Sequence, residues 1–383
     1  WLKLVQSSFP PSFPALRAHP LGARRRRPRQ MMALGPRDAE QGMMPPVVRR
    51  GSSEVRRRFR QPLLKFMRDY SWKAHELSHR YITVEQLLHF YHEVFRGLFN
   101  KSMDATTTEV VKDILVPTTE DEEVSWVDWL RVQGGSTSGE ESSASSAVTP
   151  TPTHFFSPRL ADSGDPPTTH VVHAWRMRFA DLLGAVLFDA SGGKTRMPGD
   201  SFDDACEIFS EVLDKRYWIC CFCVNQHQSI CHEDQIRCRC RARNLQSCVP
   251  GCELDKFDLV AKKIHAAGGS MMLALESEMQ ILKRAWCVDE INYALNHGMQ
   301  VRLAYNTMPS FPDLRDFQCD VERCSARPDD KQRILNKIRN SIGISKFNSQ
   351  ITNFVQASCK ELIAQVRFRS RSSSHDRKMR KPH

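Results

Sequence analysis

The stretch YWICCFCV, from Tyr217 to Val224, decides how the rest of the sequence is interpreted. Its alternating positions are apolar on both sides, with Ile219 on one face and Trp218 on the other. A strand that is buried on both faces is typical of the middle of a parallel sheet that helices cover on each side. We therefore expect a buried strand here and an α/β fold around it.

Short apolar strands and amphipathic helices alternate on both sides of this stretch. The other predicted strands are HVVHAW (170–175), GSMMLALES (269–277) and MQVRLAY (299–305). The predicted helices cover residues 179–187, 254–264, 284–295, 334–342 and 351–366, where apolar residues recur at helical spacing. This alternation predicts a doubly wound parallel sheet, within an α/β domain over residues 169–366.

A small helical module is predicted ahead of this domain, over residues 61–132. Thr83 is a candidate N-cap, and Gln86 three residues later completes the pattern of a capping box. The segment 133–168 is rich in Gly, Ser, Thr and Pro and is predicted to be a linker. Because the sequence starts at Trp1, we expect either a fragment or a translation from upstream of the true start, with Met31, Met32 and Met43 as candidate starts.

Basic residues are concentrated at the two ends of the chain. Residues 1–60 contain 14 lysines and arginines against 3 acidic residues, and residues 366–383 contain 7 against 1. We expect disordered basic segments over 1–60 and 367–383, able to bind anionic partners without specificity or to act as a nuclear or organellar address. No apolar run approaches the length of a membrane span, and the 13 cysteines without a secretory signal favour a cytoplasmic location.

Two further motifs concern phosphate and metal binding. SGGKT (191–195) lacks the first glycine of a phosphate-binding loop, because Phe188 occupies that position, so we interpret it as a polar loop. The segment 225–252 is predicted to be a Cys-rich insertion in the α/β domain. Its cysteines are candidate ligands of a structural zinc ion, and the alternative is a loop without metal. The candidate ligands are Cys238, Cys240, Cys248 and Cys252.

Candidate ligand-binding side chains follow two of the predicted strands. Asn225 and His227 come directly after the buried strand, where open α/β sheets bind ligands, although an ordinary loop cap explains them equally well. In RAWCVDEINYAL (284–295), Trp286 and Glu290 are four residues apart and therefore share one helix face. The alternatives for Glu290 are a surface position beside half-buried aromatic rings and a carboxylate in a cleft.

These motifs resemble the Toll/interleukin-1 receptor (TIR) domain and its relatives, particularly TIR-like proteins of protists. THVVHAW with RFADLLGAVL resembles the opening strand and first helix of the family, and RAWCVDEINYAL resembles its W-C-x-x-E helix. The resemblance implies a flavodoxin-like sheet and, in members that are enzymes, cleavage of NAD⁺ by the glutamate that corresponds to Glu290. Trp175, just past the first strand, is then a candidate aromatic floor for the substrate.

The resemblance also implies a second kind of function. Many TIR domains catalyse nothing and work by association with themselves or with other TIR domains. The sequence departs from the family at Val172, where relatives often have Ser, and in its enlarged Cys-rich loop. We therefore expect either an NAD⁺-cleaving enzyme that is active when self-associated or a non-catalytic assembly module, with zinc as a structural ion of the loop in the second case.

Overall fold

A computed structural model describes residues 71–135, 168–194, 199–227, 253, 257–306 and 311–379. The predicted basic segment 1–60, almost all of the predicted linker and the Cys-rich insertion beyond His227 lie outside the described residues. Among the described helices, none combines the length and the apolar character that crossing a membrane requires.

The protein has an α/β fold built on a five-stranded, mostly parallel sheet. The strands are β1 (Ile82–Thr83), β2 (Thr169–Val172), β3 (Arg216–Ile219), β4 (Ser270–Leu275) and β5 (Val301–Tyr305). Their order across the sheet is β1-β3-β2-β4-β5; the last four are parallel, and only β1 is antiparallel to its neighbour among the described strands. Every residue of β2 is buried, as expected for the central strand of a covered sheet.

Helices cover both faces of the sheet and link its strands. The first group is α1 (Val84–His89), α2 (Thr107–Val110), α3 (Trp126–Gly135), α4 (Phe179–Ala190), α5 (Phe202–Ile208) and α6 (Cys220–Cys223). The second group is α7 (Phe257–Ala266), α8 (Ala285–Asn296), α9 (Phe311–Arg315), α10 (Pro328–Ser341) and α11 (Ile344–Met379). α1 and α2 continue as π-helical stretches, Phe90–Leu98 and Val111–Leu115.

The local signals of the sequence correspond to these elements. The predicted capping box is confirmed, because the Thr83 side chain accepts a hydrogen bond from the Gln86 N–H and the Gln86 side chain accepts one from the Thr83 N–H. α11 extends to Met379 and so enters the segment assigned from sequence to a disordered tail. No Gly or Pro interrupts the chain between Ile344 and Met379, which removes the strongest helix-breaking signals from this region.

The stretch from Tyr217 to Val224 is a strand only in its first half. β3 ends at Ile219, and the next four residues form the single helical turn α6, so the prediction of a strand through Val224 was wrong. The Gln226 amide donates hydrogen bonds to the carbonyl oxygens of Cys220 (2.9 Å) and Val224 (3.0 Å), which satisfies acceptors at this turn. An apolar run of eight residues does not distinguish a buried strand from a buried helical turn.

The helical segment 71–135 shares one hydrophobic cluster with the sheet and its helices. β1 belongs to this segment and pairs with β3, and Phe90 contacts Phe179 and Phe222 with ring centroids 5.5 and 5.1 Å apart. The Arg80 guanidinium, which is buried, lies 3.0 Å from the Glu253 carboxylate and donates to the Cys223 carbonyl oxygen at 3.1 Å. The two segments that were predicted as separate units are thus packed together.

Candidate active site

Glu290 lies where a central strand and a covering helix meet. It is on α8, and its Oε2 is 3.0 Å from Nε2 of His170 on β2. The His170 side chain is fully buried and the Glu290 side chain is 12% exposed. His170 also stacks on Trp218 of β3, with ring centroids 4.7 Å apart. The carboxylate is therefore held by a buried, immobilised ring and reaches the surface only over a small part of its area.

The partners of His170 indicate which ring nitrogen carries its proton. Nδ1 has no hydrogen-bond partner among the described residues, whereas Nε2 faces the Glu290 carboxylate. A neutral imidazole has one donor and one acceptor nitrogen. The tautomer with its proton on Nε2 donates to Glu290 and leaves only an acceptor unsatisfied, so we assign that tautomer.

Glu290 lines a cavity of about 470 Å³. Part of the wall comes from residues that follow the carboxyl ends of three parallel strands: His173 after β2, Cys220 after β3, and Gln280 after β4. Open α/β sheets bind their ligands at this edge. The wall also includes Thr108 and Lys112 from the helical segment and residues 325–327 and 330 ahead of and within α10.

Two tryptophans that the sequence offered as candidate substrate-binding residues line the same cavity. Trp286 is one turn before Glu290 on α8, and the Arg333 guanidinium lies 4.6 Å from its ring centroid. Trp175 is in the loop between β2 and α4, where its carbonyl oxygen accepts hydrogen bonds from both the N–H (3.0 Å) and the Oγ1–H (2.9 Å) of Thr108. The structure thus brings Glu290, Trp175 and Trp286 together around one space.

The cysteines of the cavity wall are poor nucleophiles. Burial raises the pKa of the Cys220 thiol to about 12, and this thiol is hydrogen-bonded to Trp175. Burial also raises the pKa of the Cys287 thiol, which lies 3.6 Å from the His173 carbonyl oxygen. The thiolate is the reactive form of cysteine. Nucleophilic catalysis by either thiol at neutral pH is therefore disfavoured. The acidic side chains of the wall are those of Glu290 and Asp330.

His173 is a second buried histidine beside the cavity. Its side chain is only 4% exposed, and neither ring nitrogen has a hydrogen-bond partner among the described residues. Burial, with a smaller contribution from the positive charge of Arg284, lowers the pKa of His173 to about 3. The ring is therefore neutral at physiological pH.

Asn225 and His227 lie in a different place from the other predicted site residues. The Asn225 amide donates to the Glu123 carbonyl oxygen, and His227 Nε2 is 2.8 Å from Thr119 Oγ1. Both side chains therefore join the end of α6 to the helical segment, and the wall of the 470 Å³ cavity does not include them. This placement gives no support to a role in substrate binding and matches the loop-cap alternative.

The sequence interpretation did not select His170, His173 or Arg284. A usable signal was present for the histidines, because HVVHAW places two imidazoles in an otherwise apolar strand segment. The four candidate zinc ligands, Cys238, Cys240, Cys248 and Cys252, lie outside the described residues, so the zinc site stays a prediction. Within the part of the chain that the structure describes, no cluster of three or more His, Cys, Asp or Glu side chains is suited to a metal ion.

Comparison with known proteins identifies no relative from which a function could be transferred: no family model matches the chain, and no curated protein or solved structure is significantly similar to it.

Proposed function

We propose that this chain is a TIR-like domain that cleaves NAD⁺ at the bond between nicotinamide and ribose, with Glu290 as the catalytic carboxylate. One observation carries the proposal: the Glu290 carboxylate lines a cavity at the carboxyl edge of the sheet and is held at 3.0 Å by a buried histidine. The parallel strand order β3-β2-β4-β5 also supports a flavodoxin-like arrangement, in which the first parallel strand lies between the second and the third.

The chemistry requires few groups beyond those in the cavity. The bond between the ribose C1′ and the nicotinamide nitrogen breaks, and its electron pair leaves with nicotinamide, which departs neutral. Positive charge then develops on the ribose, and a carboxylate in a water-poor cavity stabilises that oxocarbenium-like state. Water adds to C1′ and loses a proton, which gives ADP-ribose. No general acid is needed for the departure of nicotinamide.

The aromatic residues of the cavity support the same assignment. Trp286 precedes Glu290 by one helical turn, and Trp175 lies on the loop after β2, so flat apolar surfaces accompany the carboxylate. Aromatic faces suit the planar nicotinamide and adenine rings and attract cations through their π electrons. We further propose that activity requires self-association, and that a structural zinc ion orders the Cys-rich loop.

The test compares NAD⁺ cleavage by the wild type and by Glu290→Gln and Glu290→Ala, with and without a crowding agent that favours self-association. Nicotinamide and ADP-ribose are measured by chromatography. Both Glu290 variants should lose on the order of 100-fold or more in rate, because a preorganised charge at the reacting centre is removed. Glu211→Gln, at an exposed glutamate outside the cavity, is the matched control and should cleave NAD⁺ like the wild type.

The outcomes separate the two functions. Cleavage that survives in a folded Glu290→Gln protein contradicts the catalytic role of Glu290. Absence of nicotinamide release from the wild type in every assembly state leaves the non-catalytic assembly module. Metal analysis of protein purified without chelators decides the zinc proposal separately.

A further inference from the structure

Basic side chains are concentrated around the cavity that contains Glu290. Lys112, Arg176, Arg284 and Arg327 line it, against the carboxylates of Glu290 and Asp330. The basic side chains of the wall therefore outnumber its acidic ones. A ligand that fits this cavity is expected to carry negative charge in addition to any cationic part.

The three arginines of this wall differ from most arginines of the protein. None of them has an ion pair or a side-chain hydrogen bond with another residue within the described ranges. Arginines elsewhere in those ranges mostly lie within 4 Å of a carboxylate. The paired ones are Arg80, Arg131, Arg178, Arg302, Arg315, Arg323, Arg333 and Arg339. The cavity thus collects guanidinium groups whose donors are available to a ligand.

Arg284 has the most informative position of the three. It is half-buried and is the N-cap residue of the 12-residue helix α8, to which it gives no side-chain capping bond. The amino end of a helix carries partial positive charge and favours anions. Glu290 lies six residues further along α8, which corresponds to about 9 Å along the helix axis. Because both residues line the cavity, it has positive charge at the amino end of α8 and a carboxylate further along the helix.

A buried polar side chain gives independent evidence for a ligand at this end. His173 lines the cavity, is 4% exposed, and has two ring nitrogens without a hydrogen-bond partner among the described residues. Buried polar groups are nearly always paired, so each exception requires an explanation. The charge of Arg284 acts on this ring, which places the guanidinium and the imidazole in the same neighbourhood.

The helical segment contributes one of the cations. Thr108 and Lys112 are four residues apart, and both line the cavity. The hydrogen bonds from Thr108 to the Trp175 carbonyl oxygen attach this segment to the loop that also contains Arg176. Lys112 and Arg176 are therefore presented to the cavity by two elements that are directly bonded to each other.

We propose that Arg284, Arg176 and Lys112 form an anion subsite that binds the phosphate groups of a nucleotide ligand, and that the helical segment thereby completes the site. Guanidinium groups bind phosphate oxygens through paired, charge-assisted hydrogen bonds, and lysine adds a compact charge. The assignment of the remaining part of the ligand to the Glu290 end rests on the proposed function. The phosphate subsite itself is tested by binding, without any turnover.

The experiment measures binding of ADP-ribose and of adenosine to the full chain by titration calorimetry at low salt. ADP-ribose contains the pyrophosphate, whereas adenosine lacks it. We expect ADP-ribose to bind at least about tenfold more tightly, because hydrogen bonds between charged groups are the strong ones. Arg284→Gln should weaken ADP-ribose binding by about tenfold, and Lys112→Gln, at an exposed position, by about threefold.

Three controls test whether the loss of ADP-ribose affinity arises from the phosphate subsite. Adenosine affinity should be the same in both variants and in the wild type. Lys262→Gln removes an exposed lysine of α7 that does not line the cavity, and it should bind ADP-ribose like the wild type. Thermal unfolding of each variant verifies that the fold is retained.

Equal affinities for ADP-ribose and adenosine, or wild-type binding by both Arg284→Gln and Lys112→Gln, would overturn the proposal. Its failure is distinguishable from failure of the proposed function. If ADP-ribose binding depends on Arg284 but no NAD⁺ is cleaved, the phosphate subsite is supported and the proposed enzymatic function is contradicted. If cleavage depends on Glu290 but the KM for NAD⁺ is unchanged in Arg284→Gln and Lys112→Gln, the proposed enzymatic function is supported and the phosphate subsite is contradicted.

Discussion

His170 Nε2 and Glu290 Oε2 are 3.0 Å apart, although 120 residues separate them in the chain. The histidine comes from the central strand β2, and the glutamate comes from the helix that follows the neighbouring strand β4. Because His170 is fully buried and stacked on Trp218, its ring has little freedom to move. The contact therefore restricts the orientation of the carboxylate before any ligand binds.

Two substitutions of His170 distinguish the effect of its hydrogen bond to Glu290 from the effect of its packing. Gln places an N–H close to the position of Nε2, whereas Leu removes the donor. In the proposed reaction, we expect His170→Gln to stay within about fivefold of the wild-type kcat and His170→Leu to lose about 10- to 100-fold, since a hydrogen bond to a charged group contributes about 1.5–3 kcal/mol. Steady-state rates of nicotinamide release measure this, with circular dichroism to verify folding. Equal kcat values for the Leu variant and the wild type would exclude a positioning role.

Arg80 joins the helical segment to the α/β segment through a buried ion-pair network. Its guanidinium lies 3.0 Å from Glu253, 2.8 Å from Asp128 and 2.6 Å from Glu76. Lys73, 2.9 Å from Glu253, is a second cation beside that buried carboxylate. Arg80→Met should lower the free energy of unfolding by about 3 kcal/mol, because it removes the buried partner of Glu253 and leaves its charge only partly compensated. Denaturant unfolding followed by tryptophan fluorescence provides the measurement.

The matched control for Arg80 is an exposed arginine in a comparable ion pair. Arg339 lies 2.9 Å from Glu322 at the surface, and Arg339→Met should cost less than about 1 kcal/mol. Similar losses in the two methionine variants would show that the Arg80 network does not stabilise the fold beyond an ordinary surface pair.

The burial of His173 predicts a loss of stability in mild acid. Its pKa in the folded protein is lowered to about 3, mainly by burial, whereas an unfolded histidine has a pKa of about 6.5. As the pH falls below 6.5, the unfolded chain takes up a proton that folded His173 does not. Between pH 7.0 and 5.5 this residue should therefore remove about 1 kcal/mol of stability.

Comparison with His173→Leu isolates this contribution. Burial raises the pKa of Asp289 to about 6, which makes an opposite contribution over part of the same range, but this is common to both proteins. The free energy of unfolding should thus decrease less for the Leu variant than for the wild type between pH 7.0 and 5.5. Parallel pH profiles for the two proteins would contradict a buried, neutral His173.

The two thiols of the cavity wall should resist alkylation in the folded protein. Burial raises the pKa of Cys220 to about 12 and also raises the pKa of Cys287, so little thiolate is present at pH 7.5. We expect iodoacetamide to modify the buried Cys287 at least about tenfold more slowly than the partly exposed Cys206, as followed by mass spectrometry of peptides. Cys220 is partly exposed as well, so its slow reaction is expected from its high pKa alone. Full labelling after denaturation is the control, and rapid native labelling of Cys220 would show that its thiol is accessible and ionised.

Much of the fold could be predicted from short patterns. The strands β2, β4 and β5 and the helices α4 and α8 follow from runs and spacings within about twelve residues, and the Thr83 capping box follows from two residues. The error at Cys220–Cys223 arose because the local pattern was uniformly apolar. The Gln226 amide that satisfies the carbonyl groups of this turn lies beyond that pattern.

The candidate site likewise has features that the sequence predicts and features that depend on distant contacts. The sequence alone determined that Trp286 and Glu290 share a helix face, because a separation of four residues in an α-helix has that geometry in any fold. It also placed Trp175 after a strand. It could not show that Asn225 and His227 would bond to the helical segment rather than line the cavity, since those partners lie about a hundred residues away.

Only the tertiary structure decided that His170 meets Glu290, that Thr108 attaches the helical segment to the loop of Trp175, and that Lys112 and Arg284 border one cavity. Each of these contacts depends on the order of the strands and on the packing of helices against them. Backbone geometry sets the period of a helix or strand, so that period can be read from a short stretch of sequence. Which elements pack against each other depends instead on how the whole hydrophobic core is buried.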